Sequence, residues 1–315
     1  MAGTKTERRD IYSEVTASIV GALETAGEHS RPWVMLGGGA SAPRNVDGRH
    51  YRGVNTLLLW ASAMESGYSS GVWGTYRAWQ AQGAQVRKGE KGTLVTLWKP
   101  FDRKANADEV TAGKADDDGK VGSLLLRHFS VFAAEQVDGW EPPAEVELDP
   151  IERDAAADGF FARIGADVTY GGDRAGYLSE ADRIVCPLAE QFVDGEHFYA
   201  VLGHEHGHWT GHRSRLDRDL TGRFGDESYA AEELVAELTA AFVCARLGFA
   251  PVVRDDHASY VKSWLKALRN DDRAIFTAAS KAQQACDYLV TSGVDPAAVE
   301  IPASVVGDPT EEITA

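Results

Sequence analysis

The 315-residue sequence predicts an α+β protein in two parts: a mixed α/β part over residues 1–145, then a mostly helical part over residues 150–315 with a small sheet. Three observations lead there. The segment EPPAEVELDP (Glu141–Pro150) sets three prolines among acids, a stiff polar connector rather than the interior of an element. Before it, β-branched and aromatic runs are mixed with helical periodicities. After it, helical patterns dominate.

In chain order, Tyr12–Thr25 reads as a helix whose apolar stripe is Ile11, Val15, Ile19 and Leu23. Asn55–Ser66 (NTLLLWASAMES) reads as a buried helix and Thr75–Gln82 as a short one. Thr93–Trp98 and Leu124–Phe132 are strand-like, separated by a polar, Gly- and Asp-rich loop at Asn106–Gly122. In the second part, Arg183–Cys186 is a short strand ending at Pro187. Helices follow at Glu196–Gly211, Ser228–Leu247, Ala258–Asn270 and Asp272–Ser292, and the last 13 residues look frayed. No internal repeat or heptad run is visible.

Composition narrows the function. No stretch is apolar for long enough to span a bilayer, and MAGTKTERRD carries no apolar signal-peptide core. Cys186, Cys244 and Cys286 are far apart, which argues against a disulfide framework or cysteine-held zinc and for a cytoplasmic setting. Net charge is −16, unfavourable for a nucleic-acid partner as a whole. The charge is uneven, however: between Arg44 and Lys104 ten basic residues stand against four acidic ones. A local cationic face suffices for binding.

The sequence FYAVLGHEHGHWTGH holds His204-Glu205-x-x-His208, and five of the nine histidines fall within residues 197–212. Residues four apart share a helical face, so both imidazoles reach one Zn2+ ion. Glu205 lies beside them, able to take a proton from water that zinc has acidified. A third ligand is expected from Ser228–Leu247, where Glu233, Ala236, Glu237 and Ala240 share a face and the alanines permit close helix approach. Glu233 is the expected ligand and Glu237 the group orienting a histidine; the reverse assignment remains open. His212, four residues beyond His208, continues the same face, as a ligand, as a further support of the site or as an exposed residue.

The first part interleaves aromatics with cations. Candidate contacts to single-stranded DNA are Trp33, Trp73, Tyr76 and Trp79 for stacking, with Arg52, Asn55, Arg87, Lys88, Lys91 and Lys99 for polar contacts. RKGEKG (Arg87–Gly92) puts three cations on one glycine-flexed turn, suited to phosphates. Burial is the competing role for the tryptophans, above all for Trp60 within LLLW.

With both parts read, the chain resembles the ArdC-type antirestriction proteins of plasmids and phages. The first part carries the likeness in RPWVML, in YRGVNTLLLWASAMESGYSSGVWGTYRAWQAQGAQVRKGEKGTLVTLWKPF and in FSVFAAEQVDGW. The second carries it in HEHGHWTGHRSRLDRDL, FGDESYAAEELVAELTAAF and SYVKSWLKALRNDDRAIFTAASKAQQACDYL. The resemblance implies an N-terminal single-stranded-DNA-binding domain and a zincin-type metallopeptidase domain, protecting incoming DNA from host restriction. It assigns the zinc-motif roles to His204, Glu205 and His208, and the E-x-x-A-D/E pattern at Glu233–Glu237 supports Glu233. Two positions depart from the family: His206 replaces a usual aliphatic residue, and Arg31 precedes Pro32-Trp33 where asparagine is common.

Two other readings compete. One is a zinc protease whose first part recognises a protein substrate, with Arg183–Cys186 pairing an extended peptide by strand addition. The other is an acidic DNA mimic that occupies a host restriction enzyme directly, using the excess acids of the second part.

Overall fold

The computed structural model describes residues 10–26, 42–106, 120–141, 150–221, 226–249 and 258–294. Trp33, Arg31, most of the polar loop, most of the proline-rich connector and residues 295–315 lie outside them.

Asp10 starts the first helix, α1 (Ile11–Ala26), its carboxylate accepting the Tyr12 amide at 3.0 Å. Val15, Ile19 and Leu23 are buried along one stripe, as their spacing requires. α2 (Val54–Ser66) is the LLLW helix, and Thr75 Oγ1 accepts the Ala78 amide to cap the short α3 (Tyr76–Ala81). Around them a four-stranded sheet forms in the order β1 (Arg44–Asn45), β2 (Val72–Gly74), β5 (Lys120–Ala133), β4 (Thr93–Lys104), with β1 and β2 parallel and the rest antiparallel. A separate ribbon pairs β3 (Gln85–Val86) with β6 (Val137–Asp138).

The β4–β5 ladder runs from Thr93↔Val131 to Lys104↔Lys120, well past the apolar runs that announce it. Its outer half is exposed on both faces, so no burial pattern marks those residues as strand.

The second part opens with α4 (Pro150–Ile164). Pro150, read as the end of a connector, is the first residue of that helix, a position where the missing amide costs nothing. Three short strands follow in the order β7 (Asp167–Tyr170), β9 (Arg183–Cys186), β8 (Gly176–Leu178). β9 therefore lies between two partners, parallel to β7 and antiparallel to β8. This corrects the expectation that Arg183–Cys186 adds a peptide strand, because both of its edges are already paired.

Four helices complete the fold: α5 (Gly195–Thr210), α6 (Glu227–Arg246), α7 (Ala258–Asn270) and α8 (Ala274–Gly293). The main core takes Val15, Ile19, Leu57, Leu58 and Trp60 from the first part and Phe161, Leu202, Leu234, Phe242 and Leu289 from the second. Trp60 meets Phe242 at 6.0 Å between ring centroids. Polar ties reinforce the junction: Gly53 N–H donates to Gln283 Oε1 at 2.9 Å, and Thr16 Oγ1 donates to the Asp272 carbonyl at 2.8 Å. The sequence boundary is thus not a packing boundary.

Candidate functional site

α5 begins where Asp194 accepts the His197 amide at 2.9 Å. It lies against α6 through small residues. A Cβ added at Gly207 would stand 3.0 Å from Ala236 Cα, and one at Gly203 would stand 3.5 Å from Ala240 Cα. That approach decides what meets at the interface. His204 Nε2 and His208 Nε2 are 3.1 Å apart, and Glu233 sets one oxygen 3.5 Å from the first and the other 3.4 Å from the second. Donors held at about 2.0–2.1 Å in tetrahedral directions around one ion would be about 3.3–3.4 Å apart. Among the described residues these three form the group able to hold a metal ion.

Each imidazole has a carboxylate behind it. His204 Nδ1 lies 3.3 Å from Glu237 Oε2, and His208 Nδ1 lies 3.4 Å from Glu232 Oε1. Proton-bearing Nδ1 atoms leave both Nε2 lone pairs facing the centre. Glu232 is itself gripped by Arg218, whose Nη2 and Nε donate to it at 2.8 and 3.0 Å. Arg218 also donates to the Gly207 carbonyl at 2.6 Å and to Thr210 Oγ1 at 2.9 Å, tying the loop after α5 back onto the ligand helix.

The electrostatics ask for positive charge. Burial disfavours a proton on His208, but hydrogen bonds to Glu232 and Glu233 and the charges of Glu233 and Glu205 outweigh it, raising its pKa to about 10. Burial likewise opposes ionisation of Glu233, yet the two histidines hold its pKa far below the carboxylate range. A divalent cation would supply that charge in place of the proton, so the donor set fits a metal. Glu205 is buried on the same helix, at 4% exposure.

Other expected residues fall elsewhere. α5 stops at Thr210, so His212 leaves the ligand face; its Nδ1 pairs with Ser214 Oγ at 2.8 Å and lies 4.0 Å from Asp182. This corrects its assignment to the metal surround. His206 turns to the other side, donating from Nδ1 to the Leu202 carbonyl at 2.7 Å and packing against Phe161. Burial drives its pKa down to about 4, so it stays neutral and fills the core as an aliphatic residue would. Glu232 and Arg218 escaped the sequence reading. The adjacent Glu232-Glu233 pair is a signal for the first; an arginine in a loop gives no signal for the second.

The stacking candidates divide. Trp73 is buried against Leu59, Val95 and Val131. Trp79 is fully buried, its Nε1 donating to the Phe132 carbonyl at 2.9 Å and its ring meeting Trp140 edge-on. Neither presents a face to a base, which corrects both assignments: Trp79 is the one buried residue of a short helix with polar outer positions, and Trp73 lies in a three-residue strand that is buried throughout. Asn55 is likewise corrected: its amide donates to the Thr96 carbonyl and accepts from the Thr96 amide, both at 2.8 Å, bolting α2 to β4. Arg52 ion-pairs with Asp287 of α8. Arg87 pairs with Glu90 at 2.9 Å and reaches Asp138. Tyr76, Lys88, Lys91 and Lys99 are exposed.

Residues 9–132 match the N-terminal domain of anti-restriction factor ArdC, and residues 155–281 match a zincin-like metallopeptidase family. Protein y4eC of Sinorhizobium fredii (strain NBRC 101917 / NGR234) is 47% identical over 282 residues, covering 89% of this chain and 91% of y4eC. A DNA primase TraC of Escherichia coli is 39% identical over 274 residues, covering 82% of this chain but 18% of the primase. Crystal structures of the antirestriction protein ArdC from plasmid R388 superpose with TM-scores of 0.73 (metal-free) and 0.72 (Mn(II)-bound) at 38% identity. The metal-free one matches over 90% of this chain and 98% of its own. Among the described residues, no helix is long and apolar enough to cross a membrane.

Proposed function

Because the chain belongs to the ArdC family of antirestriction proteins, we propose that it binds single-stranded DNA of an entering plasmid or phage in the cytoplasm and shields it from restriction. Residues 1–145 serve as the DNA-binding part and residues 150–315 as the zincin-like part. The zincin-like assignment implies a divalent metal, and we take the ion to be zinc, held by His204, His208 and Glu233. Two imidazoles with one carboxylate suit zinc better than manganese, which favours oxygen donors. The single observation carrying this reading is the convergence of both Nε2 atoms on Glu233 within 3.1–3.5 Å while a carboxylate backs each Nδ1.

When bound, the ion supplies Lewis acidity that polarises a carbonyl and eases ionisation of water. The protein does the rest. Glu237 and Glu232 fix the orientation of the imidazoles, Arg218 keeps Glu232 ionised and in place, and Glu205 accepts a proton from water at the centre.

The test is metal analysis of the purified chain beside a DNA-binding assay. Wild type is expected to hold one zinc and to prefer single over double strands. Glu205→Gln is expected to keep the metal and lose any peptide hydrolysis. A chain without stoichiometric metal sinks the metal assignment, and equal affinity for both DNA forms sinks the single-strand assignment.

A further inference from the structure

The outer half of the β4–β5 ladder projects beyond the core and shows two unlike faces. Directly opposed residues of an antiparallel pair share a face, and successive residues alternate. One face begins at Val95↔Phe129, packed with Leu59 and Trp73, and continues outward as Leu97↔Arg127, Lys99↔Leu125, Phe101↔Ser123 and Arg103↔Val121. Leu97, Phe101 and Leu125 are 42%, 42% and 41% exposed. This face mixes apolar surface with three cations and carries no carboxylate, on a chain whose net charge is −16. The other face carries Trp98, which leans toward Tyr12 at 6.3 Å, with Leu124, Asp102 and, at the far end, the opposed pair Lys104 and Lys120.

We propose that the Leu97–Arg103 face of this arm is the seat of single-stranded DNA, a deepening that rests on the function proposed above. Lys99, Arg103 and Arg127 track phosphates, and Phe101 offers its ring to an unpaired base. From the Leu97 row to the Arg103 row the face is about 20 Å long, enough for a few nucleotides. An exposed aromatic among aliphatics suits bases already free of a duplex, since paired bases hide their faces. The Arg87–Gly92 turn is a weaker seat, because Glu90 and Asp138 already neutralise Arg87.

The experiment is fluorescence anisotropy of labelled oligothymidylate against the full chain over a salt series. The variant Lys99→Ala/Arg103→Ala/Arg127→Ala is expected to lower the slope of log affinity against log salt by about 2, from about 0.7 per lost phosphate contact. Phe101→Ala is expected to weaken binding about fivefold or more, with Phe101→Trp restoring it and Phe101→Leu failing to. Melting curves verify folding, and the leucine variant keeps the bulk should alanine loosen the arm. If wild type binds and these variants keep its affinity and slope, the assignment is overturned. It is also overturned if Trp98→Ala alone abolishes binding, or if Phe101→Ala only dissolves a dimer seen by light scattering. If wild type does not bind single strands at all, the proposed function falls with it.

Discussion

Two glycines four residues apart on α5 are expected to respond to alanine with opposite signs. In a helix interior, Gly→Ala alone gains about 0.8–1.0 kcal/mol. At Gly203 the new Cβ would meet Ala240 Cα at 3.5 Å, Ala240 Cβ at 3.6 Å and Phe161 Cζ at 3.9 Å, all ordinary contacts. Gly203→Ala should therefore keep most of that gain, raising Tm by about 2 °C. At Gly207 the Cβ would meet Ala236 Cα at 3.0 Å, its carbonyl oxygen at 3.2 Å and its Cβ at 3.3 Å. Two of these are backbone atoms, so α6 itself must retreat. Overpacking of this kind costs about 1–3 kcal/mol, which cancels or exceeds the propensity gain. Glu233 lies three residues before Ala236, so the retreat pulls its carboxylate from the histidines and metal affinity should fall about tenfold or more. Differential scanning calorimetry of the metal-free chains and zinc competition against a chromophoric chelator measure the two effects. Equal Tm shifts of one sign, with unchanged metal affinity, would refute the reasoning.

Other expectations follow from the same geometry. Glu232→Gln removes the charge that holds His208 Nδ1 and should weaken zinc about 10- to 100-fold without changing the metal stoichiometry at saturation, as read by chelator competition. Asn55→Ala leaves the buried Thr96 amide without its partner and should cost about 1–3 kcal/mol in urea unfolding, while the folded protein keeps its DNA affinity. His50 is partly buried, its ring on the Ala42 carbonyl, and burial with the nearby Arg246 lowers its pKa to about 4. Its unfolded form takes up a proton near pH 6.5, so its contribution to stability is present above that pH and is lost as pH falls toward about 4. His50→Asn should flatten that part of the stability-against-pH curve measured by denaturant titration.

What the sequence makes legible depends on how local the cause is. His204 and His208 could be placed together because one helical turn does it, and the alanines at 236 and 240 announce the close crossing that brings Glu233 to them. Arg218 could not be found this way, since its grip on Glu232 joins a loop to a helix 14 residues away. The tryptophans failed for a related reason. Trp79 is the single inward side chain of a six-residue helix and Trp73 the centre of a three-residue strand buried throughout, elements too short to leave a periodicity to read. The sequence marks the arm's strands only over their apolar runs, Thr93–Trp98 and Leu124–Phe132, because the polar outer ends pair on two open faces and lack the alternation that identifies a strand.

The core that spans both parts has a consequence for dissection. Val15, Ile19, Leu57 and Trp60 are covered by helices that follow the proline-rich connector, so cutting there uncovers an apolar wall on each piece. Exchange of one part for a foreign counterpart succeeds only if the newcomer reproduces that wall, residue for residue in volume. Mutational drift on either side is then constrained by the other, and the two parts are inherited as one folding unit.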